Sequence, residues 1–350
     1  MNISDRMLDA NLDRAREGLR VLEDIARFAL NDSALSGRLK GLRHSLAMES
    51  SSIALLSARD IEGDTAAFLD TESEGIRSSM FSILEANSKR AQESLRVLEE
   101  VDKLSPQGAP FKRIRFELYE IEKEMASRLL RRERAAGVRG LYVIVDGQPD
   151  GDRSGVSIVR AALAGGARIV QLRDKVREKG LLLPVAVALR DLCRRAGALF
   201  IVNDHVDLAI AALADGVHVG QKDLPVSLAR RLLPIDMLVG CSTNNVDEAR
   251  KAVEDGADYV AVGALFPTSS KVDIRPATLD VLASVRGAVS LPVVAIGGIN
   301  HQNAPLTVAC GADAVAVISA VSSALDPEAA ARTLVAVIET AREIEGRRET

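Results

Sequence analysis

Between Leu141 and Ser319 the chain carries eight short apolar runs: LYVIVDG, ARIVQLR, ALFIVND, DGVHVGQ, MLVGCS, DYVAVGALF, PVVAIGG and DAVAVIS. Runs so uniformly rich in Val, Ile and Ala belong to strands covered on both faces, as parallel sheets require. Amphipathic stretches such as VSIVRAALAGG, NNVDEARKAVEDG and PATLDVLASVRG lie between them. Eight such units predict an α/β fold of the TIM (β/α)8 type; an open doubly wound sheet would usually have fewer strands.

The punctuation of the chain changes near residue 135. Residues 1–134 hold six of the 25 glycines and two of the 11 prolines, and the remainder holds nineteen and nine. Long helices avoid both residues, so an all-α N-terminal domain, 1–134, is expected before a barrel at 138–346. The join is placed in RRERAAGVRG. Within the first domain DANLDRAREGLRVLED (9–24) aligns with EANSKRAQESLRVLEE (85–100), with ten of sixteen positions identical. This internal repeat predicts a duplicated helical unit. At 100° per residue, Asn11 and Arg14, repeated as Asn87 and Arg90, fall in or beside the apolar arc. Burying them is costly without partners. Two readings stay open: a polar network with Glu17 and Glu93, or a cleft for an anion or other ligand.

Lys+Arg 45 against Asp+Glu 49 gives a net charge of -4, evenly divided along the chain. That balance argues against nucleic acid as a partner. Cys193, Cys241 and Cys310 form no C-x-x-C pair, so neither a disulfide framework nor a zinc knuckle is expected. The first residues show no apolar secretory core, and no run reaches 18 uncharged apolar residues. A cytoplasmic protein with no membrane partner is the expectation, and a homo-oligomer stays open.

In such a barrel chemistry sits at the C-terminal strand ends. Those ends carry Gln171-Leu172-Arg173-Asp174-Lys175, Asn203-Asp204, Gly220-Gln221-Lys222-Asp223, Cys241-Ser242-Thr243, Thr268-Ser269-Ser270-Lys271, Gly297-Gly298 and Ile318-Ser319. Arg173, Lys175 and Lys271 suit phosphate oxygens. Asp204 and Asp223 are carboxylates among those cations, as Mg²⁺ requires when it shares its shell with phosphate; a structural salt-bridge network is the plainer reading. Gly297-Gly298 and Ile318-Ser319 occupy the usual barrel phosphate position. Thr268, Ser269 and Ser270 are either hydroxyl donors or a plain turn. His205 and His218 match no metal spacing and read as structural. No base stands beside Cys241 in the sequence, which argues against a nucleophile there.

Taken together, QLRDK, FIVNDHVD, GVHVGQKDLP, GCSTNNVDEA, VAVGALFPTSSKVD, VVAIGGIN and AVAVIS resemble the thiamine-phosphate synthase family over about 140–340. The resemblance implies a transferase of thiamine biosynthesis. It would join 4-amino-2-methyl-5-(diphosphooxymethyl)pyrimidine to 4-methyl-5-(2-phosphooxyethyl)thiazole, releasing pyrophosphate through a pyrimidine methylene cation. It also implies that Gln171, Leu172, Arg173, Asp174, Lys175, Asn203, Ser242 and Lys271 bind the pyrimidine diphosphate. Arg173, Lys175, Lys271 and Ser242 would be catalytic, and Asp204 and Asp223 would hold Mg²⁺. Thr268, Ser269, Ser270, Gly298, Ile318 and Ser319 would hold the thiazole phosphate. The chain departs from the usual pattern at Cys241 and Ser270, which keep the hydroxyls in place, and at Ala264, which bears on loop stiffness more than on chemistry. A thiazole tautomerase-like barrel and a non-catalytic phosphate-ligand sensor are the alternatives. The N-terminal domain resembles extensions for which a hydroxymethylpyrimidine phosphate kinase role has been suggested. It has no G-x-x-x-x-G-K-[ST] loop, so a scaffold or dimerisation role is an equal expectation.

Overall fold

The structure is a computed structural model that describes residues 3–49, 53–59, 76–104, 108–146, 154–268 and 275–348. The chain forms two compact units, Met1–Leu130 and Arg131–Thr350. Among the described residues no helix is long and apolar enough to cross a membrane.

The first unit is helical. Helix α1 (Ile3–Asp24) runs into a π-helical turn, Ile25–Ala29, and is followed by α2 (Ser33–Glu49) and α3 (Ile53–Ser57). Helix α4 (Met80–Asp102) opens with a capping box: Ser79 accepts from the Ser82 amide and Ser82 from the Ser79 amide. Helix α5 (Phe111–Ala135) follows. Helices α1 and α4 contain the two sequence repeats and pack on each other, burying Leu12, Ala15, Leu19 and Leu22 with Leu84, Ala91, Leu95 and Leu98.

The duplication extends to the ion pairs. Arg43 of α2 donates to Glu23 of α1 at 3.0 Å, and Arg115 of α5 donates to Glu99 of α4 at 2.5 Å. Arg20 and Arg96 flank the same two glutamates at 3.3 and 3.1 Å. Bonding to Arg115 holds the Glu99 carboxyl below its usual value. The buried-network expectation for Arg14, Arg90, Glu17 and Glu93 is corrected here, because all four are exposed. Asn11 and Asn87 satisfy themselves locally, donating to the Met7 and Ile83 carbonyls one turn back.

The second unit is a closed barrel of eight parallel strands in sequence order. They are β1 (Gly140–Asp146), β2 (Ile169–Arg173), β3 (Leu199–Asn203), β4 (Gly216–Val219), β5 (Leu238–Thr243), β6 (Tyr259–Val262), β7 (Val293–Ile296) and β8 (Ala314–Val317). The expected (β/α)8 architecture is present, and each apolar run holds its strand. Helices α6 (Gly155–Ala164), α7 (Lys179–Ala196), α8 (Val206–Ala211), α9 (Val226–Leu232), α10 (Val246–Glu254) and α11 (Leu279–Ala288) are among those that connect them. Strand parity divides the apolar residues between two cores. Val143, Val170, Val202, Val239 and Val260 pack outward against helices, while Tyr142, Ile169, Ile201, Leu238, Tyr259 and Val294 fill the lumen.

A recurrent aspartate pins the lower rim. Asp215, Asp258 and Asp313 stand just before β4, β6 and β8. Each carboxylate accepts the amide that opens or leads the preceding strand, from Phe200, Val239 and Val293, at 2.8 Å in every case. Asp258 is buried and also accepts from Arg131 and Arg230.

Candidate active site

The same parity that fills the lumen aims alternate residues at the mouth. Strand pairing places Ile144 beside Gln171, Asp146 beside Arg173, Asn203 beside His218 and Ser242 beside Ala261. A cavity of about 970 Å³ opens there, roomy enough for two small ligands. Among the expected residues, Gln171, Arg173, Lys175, Asn203, Asp204, Asp223, Ser242, Thr268, Gly298, Ile318 and Ser319 all line it.

Two expected residues have side chains directed elsewhere. Leu172 has outward parity and is buried in the core between sheet and helices. Asp174 accepts from the Val176 and Arg177 amides and from Arg177 Nε, which organises the turn after β2 and holds its carboxyl below the usual value against the cost of burial. Ser269, Ser270 and Lys271 lie outside the described residues.

Asp204 and Asp223 come together from neighbouring strand ends. Asp204 adopts a left-handed φ of 59° immediately after β3, a conformation that aspartate tolerates better than most residues. Its amide donates to the His218 carbonyl at 2.8 Å, tying it to β4. Asp223 closes the turn after β4 by accepting the Gly220 amide at 2.8 Å. The Asp204 carboxyl is pushed above its usual value, first by burial and then by hydrogen bonding and repulsion from Asp223; Lys175 Nζ, 3.3 Å away, offsets part of this. Two carboxylates brought this close form a donor set suited to a hard divalent cation, which would relieve the repulsion on Asp204. The pair therefore fits Mg²⁺ with its remaining positions left to water or phosphate. Among the described residues no group of three or more His, Cys, Asp or Glu forms a larger cluster of metal ligands.

The cations stand nearby. Arg173 Nη1 lies 3.2 Å from Asp146 at the end of β1 and is otherwise directed into the cavity that it lines. Lys222 and Arg275 add two further cationic side chains to the lining. Sequence reasoning gave them no role because both sit in loops, where strand parity says nothing. Arg275 contacts Glu248 at 2.6 Å, and Asn244 Nδ2 donates to the Gly263 and Arg275 carbonyls at 2.7 and 2.8 Å. Asn244 thus ties the two ends of the β6–α11 connection together.

On the opposite side of the mouth, Gly298 has φ 63°, and a Cβ there would lie 2.4 Å from the Pro267 carbonyl oxygen. Only glycine permits so close an approach of the loop after β7 to the Phe266-Pro267 backbone. Cys241 has outward parity and is buried, and burial raises its thiol to about 11. It is unsuited to nucleophilic attack. His205 stands at the N-cap position of the short helix α8 (Val206–Ala211) beside the mouth, without a side-chain capping bond. His218 faces the lumen and bonds Ser242, a contact that the sequence concealed.

The closed barrel and this mouth define a (β/α)8-barrel enzyme of small-molecule metabolism. A family model described as thiamine monophosphate synthase matches residues 141–321, and one described as the ThiD2 family matches residues 6–124. The chain belongs to the thiamine monophosphate synthase family, a family of transferases. Thiamine-phosphate synthase of Thermosynechococcus vestitus is 42% identical over 331 residues, covering 94% of this chain and 93% of the relative. That of a Nostoc species is 42% identical over 328 residues, covering 92% and 90%. The solved thiamine phosphate pyrophosphorylase from Pyrococcus furiosus is 38% identical with a TM-score of 0.55, covering 59% of this chain and 98% of that one.

Proposed function

We propose that the barrel couples 4-amino-2-methyl-5-(diphosphooxymethyl)pyrimidine to 4-methyl-5-(2-phosphooxyethyl)thiazole, giving thiamine phosphate and pyrophosphate by a Mg²⁺-dependent dissociative route. The observation that carries this reading is the meeting of Asp204 and Asp223 with Arg173 and Lys175 around one cavity. An isomerase acting on the thiazole alone has no need of that cradle.

Arg173 and Lys175 would hold the diphosphate and stabilise charge as the C–O bond breaks and its electron pair leaves with pyrophosphate. Mg²⁺, held by Asp204 and Asp223, would neutralise phosphate charge when bound. Gln171 and Asn203, both buried at strand ends, would orient the aminopyrimidine, whose amino group donates electrons to the methylene cation. Thr268, Gly298, Ile318 and Ser319 would seat the thiazole phosphate so that its ring nitrogen faces that carbon. Ser269, Ser270 and Lys271 are assigned to the same two ligands through the family resemblance alone. The bond made uses the thiazole lone pair, so no enzymic nucleophile enters the balance.

The test is pyrophosphate release on mixing both substrates with Mg²⁺. Release that needs both substrates supports coupling; conversion of the thiazole alone would favour the tautomerase reading, and binding without turnover the sensor. For the N-terminal unit, the kinase reading rests on the family resemblance; Arg14 and Arg90 are exposed at matching positions of α1 and α4. Full-length protein given ATP and the pyrimidine monophosphate should form diphosphate on that reading, and none if the unit is a scaffold.

A further inference from the structure

A continuous string of hydrogen bonds, buried except at its Ser242 end, crosses the floor of the cavity. Gln171 Nε2 donates to Tyr142 Oη at 2.7 Å, and Tyr142 Oη lies 3.1 Å from Tyr259 Oη. Tyr259 Oη is 3.2 Å from His218 Nδ1, and His218 Nε2 is 2.9 Å from Ser242 Oγ. The five residues come from β2, β1, β6, β4 and β5, all at lumen-facing positions. The sequence makes room for the string. A Cβ on Gly240 would fall 2.0 Å from Tyr259 Cζ, so only glycine at 240 lets the Tyr259 ring reach across to stack on His218 at a centroid separation of 5.5 Å.

Counting hydrogens gives the string a direction. Burial drives both phenols well above their usual pKa, so each keeps its single hydrogen. Tyr142 already accepts from Gln171 and is buried, so its hydrogen satisfies itself on Tyr259 Oη. The Tyr259 hydrogen then goes to His218 Nδ1. An imidazole nitrogen that accepts carries no proton, so the neutral ring is protonated at Nε2 and donates to Ser242 Oγ. With its oxygen already accepting from the imidazole, the Ser242 hydroxyl can turn its own hydrogen toward the cavity that it lines.

We infer that Tyr142, Tyr259 and His218 are positioning residues: they fix His218 as the Nε2–H tautomer and so present Ser242 to the pyrimidine diphosphate as a hydrogen-bond donor. This rests on the coupling reading above. That reaction balances without proton transfer, since one electron pair leaves on pyrophosphate and another arrives from the thiazole nitrogen. His218 therefore acts through Ser242 and not as an acid or base. In the reversed string, Ser242 would donate to His218 and present only lone pairs to an incoming polyanion.

The test uses the full-length protein labelled with ¹⁵N-histidine, together with kinetics. Imidazole nitrogen shifts should show the Nε2–H tautomer in wild type, and Tyr259→Phe should move His218 toward the Nδ1–H form. Ser242→Ala should lower kcat about 10²-fold, the scale for one preorganised donor, and Tyr259→Phe about tenfold, with KM for the thiazole phosphate unchanged. The double variant should be no slower than Ser242→Ala alone, because the string acts only through that hydroxyl. His218→Gln, whose amide can still donate near the Nε2 position, should retain more activity than His218→Leu. An Nδ1–H tautomer in active wild-type protein, or additive losses in the double variant, would overturn the inference. Failure of wild type to release pyrophosphate would instead overturn the coupling reading.

Discussion

At the lower rim of the barrel the buried carboxylate of Asp258 meets Arg131, Arg230 and the Val239 amide. At the mouth, Asp204 is hydrogen-bonded to Asp223, and among the described residues Lys175 is the ammonium that offsets it. The sheet and the residue type are the same, yet among the described residues one rim completes its charge pairing internally and the other leaves it incomplete. Complete pairing holds strands in register. Incomplete pairing keeps an electrostatic demand that a cation or a phosphorylated ligand can meet. Conserving free energy at one rim and withholding it at the other is how a barrel separates stability from chemistry.

The largest effect that would break this contrast is at Asp258. Removing it takes the shared carboxylate from two guanidinium groups, one of them deeply desolvated and left with the Gly256 and Met237 carbonyls, so Asp258→Ala should cost about 3–5 kcal/mol of unfolding free energy in a urea titration. KM for either substrate should stay unchanged in the folded fraction. At the mouth the signs reverse: Asp204→Ala should lower the coupling rate about 10²–10³-fold while leaving metal-free stability equal or higher. Wild-type turnover in that variant would sink the metal assignment.

A pH series sharpens the comparison further. The Asp204 carboxyl is raised, so protons and Mg²⁺ compete for the pair. Mg²⁺ affinity should weaken up to about tenfold per pH unit below that raised value, as read by calorimetry. In metal-free protein the stability associated with this raised group is full below the ordinary carboxylate range and is lost as pH rises through the raised value. Asp223→Asn should flatten that loss, and should also abolish the rise in Tm on adding Mg²⁺. The smallest effect belongs to the helical unit. Glu23→Gln and Glu99→Gln, acting at equivalent pairs, should each cost about 1 kcal/mol of stability and leave coupling untouched.

Much of the barrel was legible because strand parity is a strict rule. Once LYVIVDG and its seven counterparts are strands, Gln171, Arg173, Asn203 and Ser242 must share the lumen side. The same rule shows why Leu172 and Asp174, although in the QLRDK run, send their side chains elsewhere. Three things were hidden. Tyr142 and Tyr259 drew no assignment inside LYVIVDG and DYVAVGALF, because an apolar run does not reveal where a phenol oxygen will find a partner. His218 read as structural for the same reason. Arg275 and Asn244 belong to the mouth through loop geometry, which has no period to read. In the helical unit the helical wheel misplaced Arg14 and Arg90: it records angle but not the length that lets a guanidinium escape to water.

The aspartates before β4, β6 and β8 have one more consequence. Because Asp215, Asp258 and Asp313 each clamp the preceding strand from below, alternate seams of the cylinder are indexed at the end remote from the ligands. Loops at the upper end can then be lengthened, exchanged or rewritten without the staves slipping past one another, which makes this architecture a natural chassis for transplanting new specificities.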